Sequence, residues 1–127
     1  MAQLPLNKFL TKTAVLTTNT TATVYTAPIG VTAIVLMAQV ANISTSTQTV
    51  TFKHYRNRPV LADAQGFGRQ EGRTSSFLVK DFPIPENDAG TPLTGKMIIE
   101  SLDAIYAYAE NENSMQLVLS ILETASA

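Results

Sequence analysis

The longest apolar run of the chain, Val31 to Val40, follows directly on Pro28-Ile29-Gly30. Proline presets φ near about −65° and glycine admits a positive φ, so the tripeptide predicts a turn and the run a strand leaving it. Ile34, Leu36, Ala38 and Val40 then fall on one face, and Val35, Met37, Gln39 and Ala41 on the other. A strand apolar on both faces reads as the middle strand of a sheet, covered on both sides. A helix is the rival reading, but the Val, Ile and Thr content and the preceding turn favour a strand.

Alternation of apolar and polar positions recurs on either side. Residues 13–26 are rich in threonine and predict two short strands with a turn at Asn19. Ser44 to Ser46 predicts a turn that joins the middle strand to Thr47–Tyr55 as an antiparallel hairpin. Val50, Phe52 and His54 share one face of that second strand, and Thr49, Thr51, Lys53 and Tyr55 the other. Ser76–Phe82 is the next strand, ended by Pro83-Ile84-Pro85 because proline cannot donate to a ladder. A polar connection, Glu86 to Thr94, leads to three more strands at Lys96–Glu100, Ala104–Ala109 and Met115–Glu123. Ile105, Ala107 and Ala109 oppose Tyr106 and Tyr108, and Met115, Leu117, Leu119 and Ile121 point inward. About eight short strands separated by turn signals predict an all-β fold, a single antiparallel β-sandwich of jelly-roll or immunoglobulin-like type. No fixed-period repeat is present, which argues against a propeller or solenoid.

Two segments break this rhythm. Residues 1–12 carry Leu4, Leu6, Phe9 and Leu10 around Pro5 and read as an extended N-terminal arm. Its apolar side chains must be buried, either on the arm's own domain or on a neighbouring subunit. Residues 57–75 hold Gly66, Gly68, Gly72, Pro59 and several charges, which makes them a long loop within the domain spanning 13–127. Long loops in compact domains tend to carry function.

Composition sharpens the picture in one respect. The 127 residues suffice for one domain with a real core, yet only 15% are charged, below the usual quarter or so. Low charge suggests surface covered by partners, with the threonine-rich habit of β domains as the plainer explanation. There is no cysteine, which removes disulfides and thiolate chemistry. The first 12 residues lack a basic start and an apolar core, so they do not read as a signal peptide. No apolar run reaches the roughly 18 residues of a membrane span, so no membrane partner is expected. A net charge of −1 gives no general pull on nucleic acid.

Candidate chemistry is thin. His54 is the only histidine, so paired-histidine metal sites are excluded, and no GxSxG nucleophile elbow occurs. The carboxylates sit mostly at strand ends and turns, where they read as solvated. Glu86-Asn87-Asp88 lacks the spacing of a calcium loop, and Gly66-Phe67-Gly68 is not followed by the GK[ST] of a phosphate loop. The expectation is a protein without catalytic, cofactor or metal residues, and so not an enzyme. Charge placement says more: Lys53, Arg56, Arg58, Arg69, Arg73 and Lys80 make the middle basic, while Lys96 is the one base among the acids from Glu86 onward. Complementary patches of this kind would let copies pack side by side. A nucleic-acid patch is the other sharp reading, weakened by Asp63 and Glu71 inside the loop, and solvated loop charge is the plain one. The candidate protein-interaction residues are therefore Leu4, Leu6, Phe9 and Leu10 in the arm, with Arg56, Arg58, Phe67, Arg69 and Arg73 around the loop. As a different class, Tyr55, Phe67, Tyr106 and Tyr108 could form a stacking platform for a host glycan.

Several stretches together resemble a known group. LPLNKF at 4–9, TVYTAPIGVTAIVLMAQVANIS at 23–44, LVKDFPIPENDA at 78–89, LTGKMIIESLDAIYAYA at 93–109 and LVLSILETA at 117–125 carry the likeness. They are similar to small virion structural proteins of tailed bacteriophages, particularly marine and cyanobacterial phages related to T4. The resemblance implies a β-sandwich assembled on the virion in the host cytoplasm, without enzyme activity or cofactor. It implies head decoration first, binding the major capsid protein as a homo-oligomer with a trimer favoured, and a neck, tail or fibre-attachment position second. The 57–75 loop is longer than the resemblance leads one to expect.

Overall fold

Residues 7–16, 22–57, 74–93, 95–111 and 113–125 are described by the structure, a computed structural model. Among them the chain forms nine strands: β1 (Asn7–Val15), β2 (Ala22–Thr26), β3 (Val31–Asn42), β4 (Gln48–Arg56), β5 (Thr74–Ile84), β6 (Ala89–Gly90), β7 (Met97–Ile99), β8 (Ala104–Ala109) and β9 (Met115–Ala125). No helix occurs among the described residues, so none is long and apolar enough to cross a membrane. One sheet, sheet A, has the order β1-β9-β3-β6, with β7 also on β3; the other, sheet B, has the order β2-β8-β4-β5. Every pairing is antiparallel, and the two sheets pack face to face as a β-sandwich.

The core lies between the sheets and follows the period of two that strands impose. Leu117, Leu119 and Ile121 of β9 and Val35, Ala38 and Val40 of β3 meet Phe52 of β4 and Ile105, Ala107 and Ala109 of β8. β3 is interior as expected, with β9 on one side and β6 and β7 on the other. Its two faces are not equivalent, however. A β-bulge between Val35 and Met37 makes Leu36 an extra residue and shifts the alternation. Val35, Ala38 and Val40 all face inward, whereas Ile34 and Leu36 are half-buried and Met37 is exposed on the far side. No described element covers that far side.

The predicted hairpin does not form. β3 belongs to sheet A and β4 to sheet B, so Ser44 to Ser46 carries the chain across the sandwich instead of folding it back. Buried Asn42 organises the crossing. Its Nδ2 donates to the carbonyls of Ser46 at 2.9 Å and of Ile84 in β5 at 2.8 Å, while its Oδ1 accepts from Ser44 N–H at 2.9 Å. With its amide group engaged on both sides, burying Asn42 leaves no orphaned donor to penalise the crossing.

Two boundaries also move. From Asn7 onward the N-terminal segment is β1, the edge strand of sheet A, in unbroken register with β9 from Asn7↔Thr124 to Val15↔Gln116. The division drawn after residue 12 therefore falls inside a strand: alternating side chains from residue 7 onward find a ready partner in β9. β5 runs through Pro83 to Ile84, because β5 is itself an edge strand and proline's missing donor can face outward there. The polar connection after it contains the two-residue strand β6.

Candidate interaction surfaces

The outer face of sheet A is built by simple alternation. β1 directs Asn7, Phe9, Thr11, Thr13 and Val15 outward; β9 opposes them with Thr124, Leu122, Ser120, Val118 and Gln116. β3 continues the same rows with Thr32, Ile34, Met37, Gln39 and Ala41, and Leu36 stands at the bulge. β7 adds Ile98 opposite Ile34, and β6 adds Ala89 opposite Ala41. Not one of these side chains is charged. Phe9, Leu122, Ile34 and Ile98 line up in a single cross-strand row spanning β1, β9, β3 and β7. Phe9 is 73% exposed, Ile98 60% and Val15 51%. A shallow hollow beside Phe9 is bounded by Thr11, Leu36 and Ser120.

The outer face of sheet B has a different character. Tyr106 of β8 lies opposite Lys53 of β4, and Lys53 opposite Phe77 of β5. Tyr55 stacks on Tyr106 with ring centroids 5.3 Å apart and planes 17° from parallel. The ammonium groups of Lys53 and Lys80 stand 5.0 and 5.3 Å from the centre of the Phe77 ring. That geometry brings two ammonium groups into cation–π range of one exposed aromatic.

The predicted site residues are distributed over these surfaces and not gathered in one. Phe9 and Leu10 point in opposite directions, Phe9 outward on sheet A and Leu10 toward the core. Arg56 closes β4 on the other sheet and pairs with Glu100 at 3.0 Å. The basic middle and the acidic end thus meet within one chain at this point, which weakens their use as patches between copies. Leu4, Leu6, Arg58, Phe67, Arg69 and Arg73 lie outside the described residues, and so does nearly all of the 57–75 loop. Of the proposed glycan platform, Tyr55, Tyr106 and Tyr108 share the outer face of sheet B, all half-buried.

Two carboxylates taken as solvated are buried. Glu123 of β9 is 8% exposed and accepts a hydrogen bond from the Tyr25 hydroxyl of β2 at 2.6 Å, across the core from sheet B to sheet A. Burial, first, and then the hydrogen bond and charge of Glu123 hold the Tyr25 phenol well above its ordinary range. Glu123 continues the inward positions Met115, Leu117, Leu119 and Ile121, so its parity was the signal that marked it. Asp103 is fully buried; its Oδ1 accepts from Asn57 N–H at 2.9 Å, and its Oδ2 lies 3.9 Å from His54 Nε2. That distance is beyond a hydrogen bond. Asp103 also receives Ala27 N–H on its carbonyl at 3.0 Å, so it ties the end of β4 to the end of β2. These contacts fasten backbone and give the pair a structural task. Among the described residues no cluster of three or more His, Asp or Glu side chains is placed to hold a metal ion.

Compared with known proteins, the chain matches no family model and no curated protein.

Proposed function

We propose that this protein is a structural component of a tailed-phage virion, in first place a decoration protein seated on the outer surface of the major capsid protein lattice. One observation carries the reading: a five-strand sheet face without a single charged side chain and with large apolar groups exposed. Large apolar groups exposed together on one uncharged face mark a place where another protein sits. A chain whose most distinctive surface is built for contact, and whose buried carboxylates fasten its own strands, suits work as a piece of an assembly. The similarity of its strand and turn order to small virion proteins supplies the kind of assembly. A neck, tail or fibre-attachment position is the alternative within the same class.

Copy number per purified virion, measured by quantitative mass spectrometry against the major capsid protein, tests the reading. A ratio near parity, or one group of copies per lattice symmetry position, is expected. A few copies per hundred capsid subunits would transfer the protein to the neck or tail, and absence from virions would overturn the proposal.

The Tyr55–Tyr106 stack, with Tyr108 on the same face, favours a second reading as a carbohydrate-binding module for the host surface. Each ring of the stack already spends one face on the other, which limits the platform to what the opposite faces offer. Loss of all signal on a glycan array at millimolar protein would remove this reading.

A further inference from the structure

We propose that two copies of this chain pack against each other through the outer face of sheet A, burying the row Phe9–Leu122–Ile34–Ile98 in the contact. It draws on the same face as the particle reading and names a second copy as the protein that sits there.

Charge identifies the occupant. In a two-fold contact the same patch is used on both sides, so any charge near its centre meets a like charge or a copy's apolar surface. A face that must recognise a differently charged partner carries complementary charge of its own; this one carries none. The nearest charges along β7 are Lys96 and Glu100, which flank the strand outside the apolar row. Neutrality over five strands, in a chain that elsewhere carries 19 charged residues (Lys and Arg 9, Asp and Glu 10), is the condition that lets a surface meet itself at no electrostatic cost.

Size agrees. β1 and β9 are 9 and 11 residues long. At about 3.3 Å per residue and about 4.8 Å between strands, four strands abreast present roughly 600 Å² in projection. Side-chain relief raises the accessible area toward the roughly 800 Å² per partner of a standard stable interface. An aromatic side chain covers about 150–250 Å², so Phe9 alone exposes on the order of 100 Å² of apolar surface. Sheet faces also have a known way of meeting, about 10 Å apart with strands within about 30° of parallel. The result is a four-layer particle, B-A-A-B. Where the resemblance to virion proteins implies a trimer, a flat neutral face favours a pair, because two sheets stacked face to face leave no third face to cover.

Sedimentation velocity on the full chain over a wide concentration range tests this. The wild type is expected to sediment as a dimer that dissociates on dilution. Ile98→Glu, at a position 60% exposed and so harmless to the single fold, is expected to sediment as a monomer throughout. Phe77→Glu, comparably exposed at 52% but on sheet B, is expected to remain a dimer. A wild type that stays monomeric at the highest concentration overturns the proposal, as does a dimer that survives Ile98→Glu or is lost in Phe77→Glu. A second readout uses the absence of cysteine: Thr11→Cys places one thiol on the face. Its reaction with a maleimide should be several-fold slower in concentrated than in dilute protein, and equal rates would sink the pairing. None of these outcomes involves virions, so failure here leaves the copy-number test untouched.

Discussion

Tyr25 and Glu123 put a carboxylate on the inward row of β9, and one hydroxyl makes that tolerable. A hydrogen bond to a charged group contributes about 1.5–3 kcal/mol, and removing one partner leaves the other buried and unsatisfied. Tyr25→Phe is therefore expected to lower stability by about 2 kcal/mol in urea denaturation, while adding Glu123→Leu should recover a large part of the loss. The pair also predicts an alkaline weakness. In the unfolded chain the phenol ionises near about 10, whereas the folded protein holds its proton well above the ordinary range. Below that value both states keep the proton and the shift has no effect. As pH rises past it, the unfolded state alone releases the proton, so stability falls. Tyr25→Phe should flatten this part of the pH–stability curve, and an unchanged slope would show that another group is responsible. Glu123 was legible by its parity in β9; Asp103 was not, because a turn residue carries no alternation to betray burial.

At the scale of elements, β3 shows what a pattern can hide. With apolar residues at nearly every position, two phases of alternation fit equally well, and the bulge at Leu36 switches between them midway. The register predicts an asymmetry between deletions. Removing Leu36 takes out the extra residue and leaves Val35↔Ile121 and Met37↔Ser120 in place, so the variant should fold, at a cost on the order of 1 kcal/mol. Removing Val118 from β9, whose register with β1 has no bulge to absorb the loss, turns half a strand inside out. Thermal unfolding followed by circular dichroism separates the two: a cooperative transition for the Leu36 deletion and none for the Val118 deletion. The hairpin error has a related cause. A short polar turn reads alike whether its strands pair or cross, and the deciding contact, Asn42 to the Ile84 carbonyl, joins residues 42 apart in sequence.

For the whole molecule, the class of fold was legible because each strand announces itself locally, through alternation and turn residues. Which strands become neighbours was not, because every pairing partner of β3 lies beyond the adjacent strands in sequence, and β4 pairs with distant β8 as well as with β5. The neutral face suffered most from this. Its residues come from odd positions of β1, even positions of β9 and both sides of a bulge in β3, and only the register brings them into one plane. Phe9 was singled out as a contact residue, but for membership of an arm and not for its place in that row.

The position of β9 also dictates when the protein can come into being. Of the nine described strands β9 is made last, and it lies between β1 and β3, so sheet A has no centre until Ala125 has been added. At about 5–20 residues per second, β1 waits on the order of ten seconds after leaving the ribosome for its partner. Pairings this distant along the chain also close slowly, in milliseconds to seconds. Vectorial folding is thus closed to sheet A, and ribosome-bound chains should stay open to protease until Ala125 clears the exit tunnel. A chaperone that shields the nascent first strand would then govern yield more than any substitution that leaves the finished sandwich unchanged.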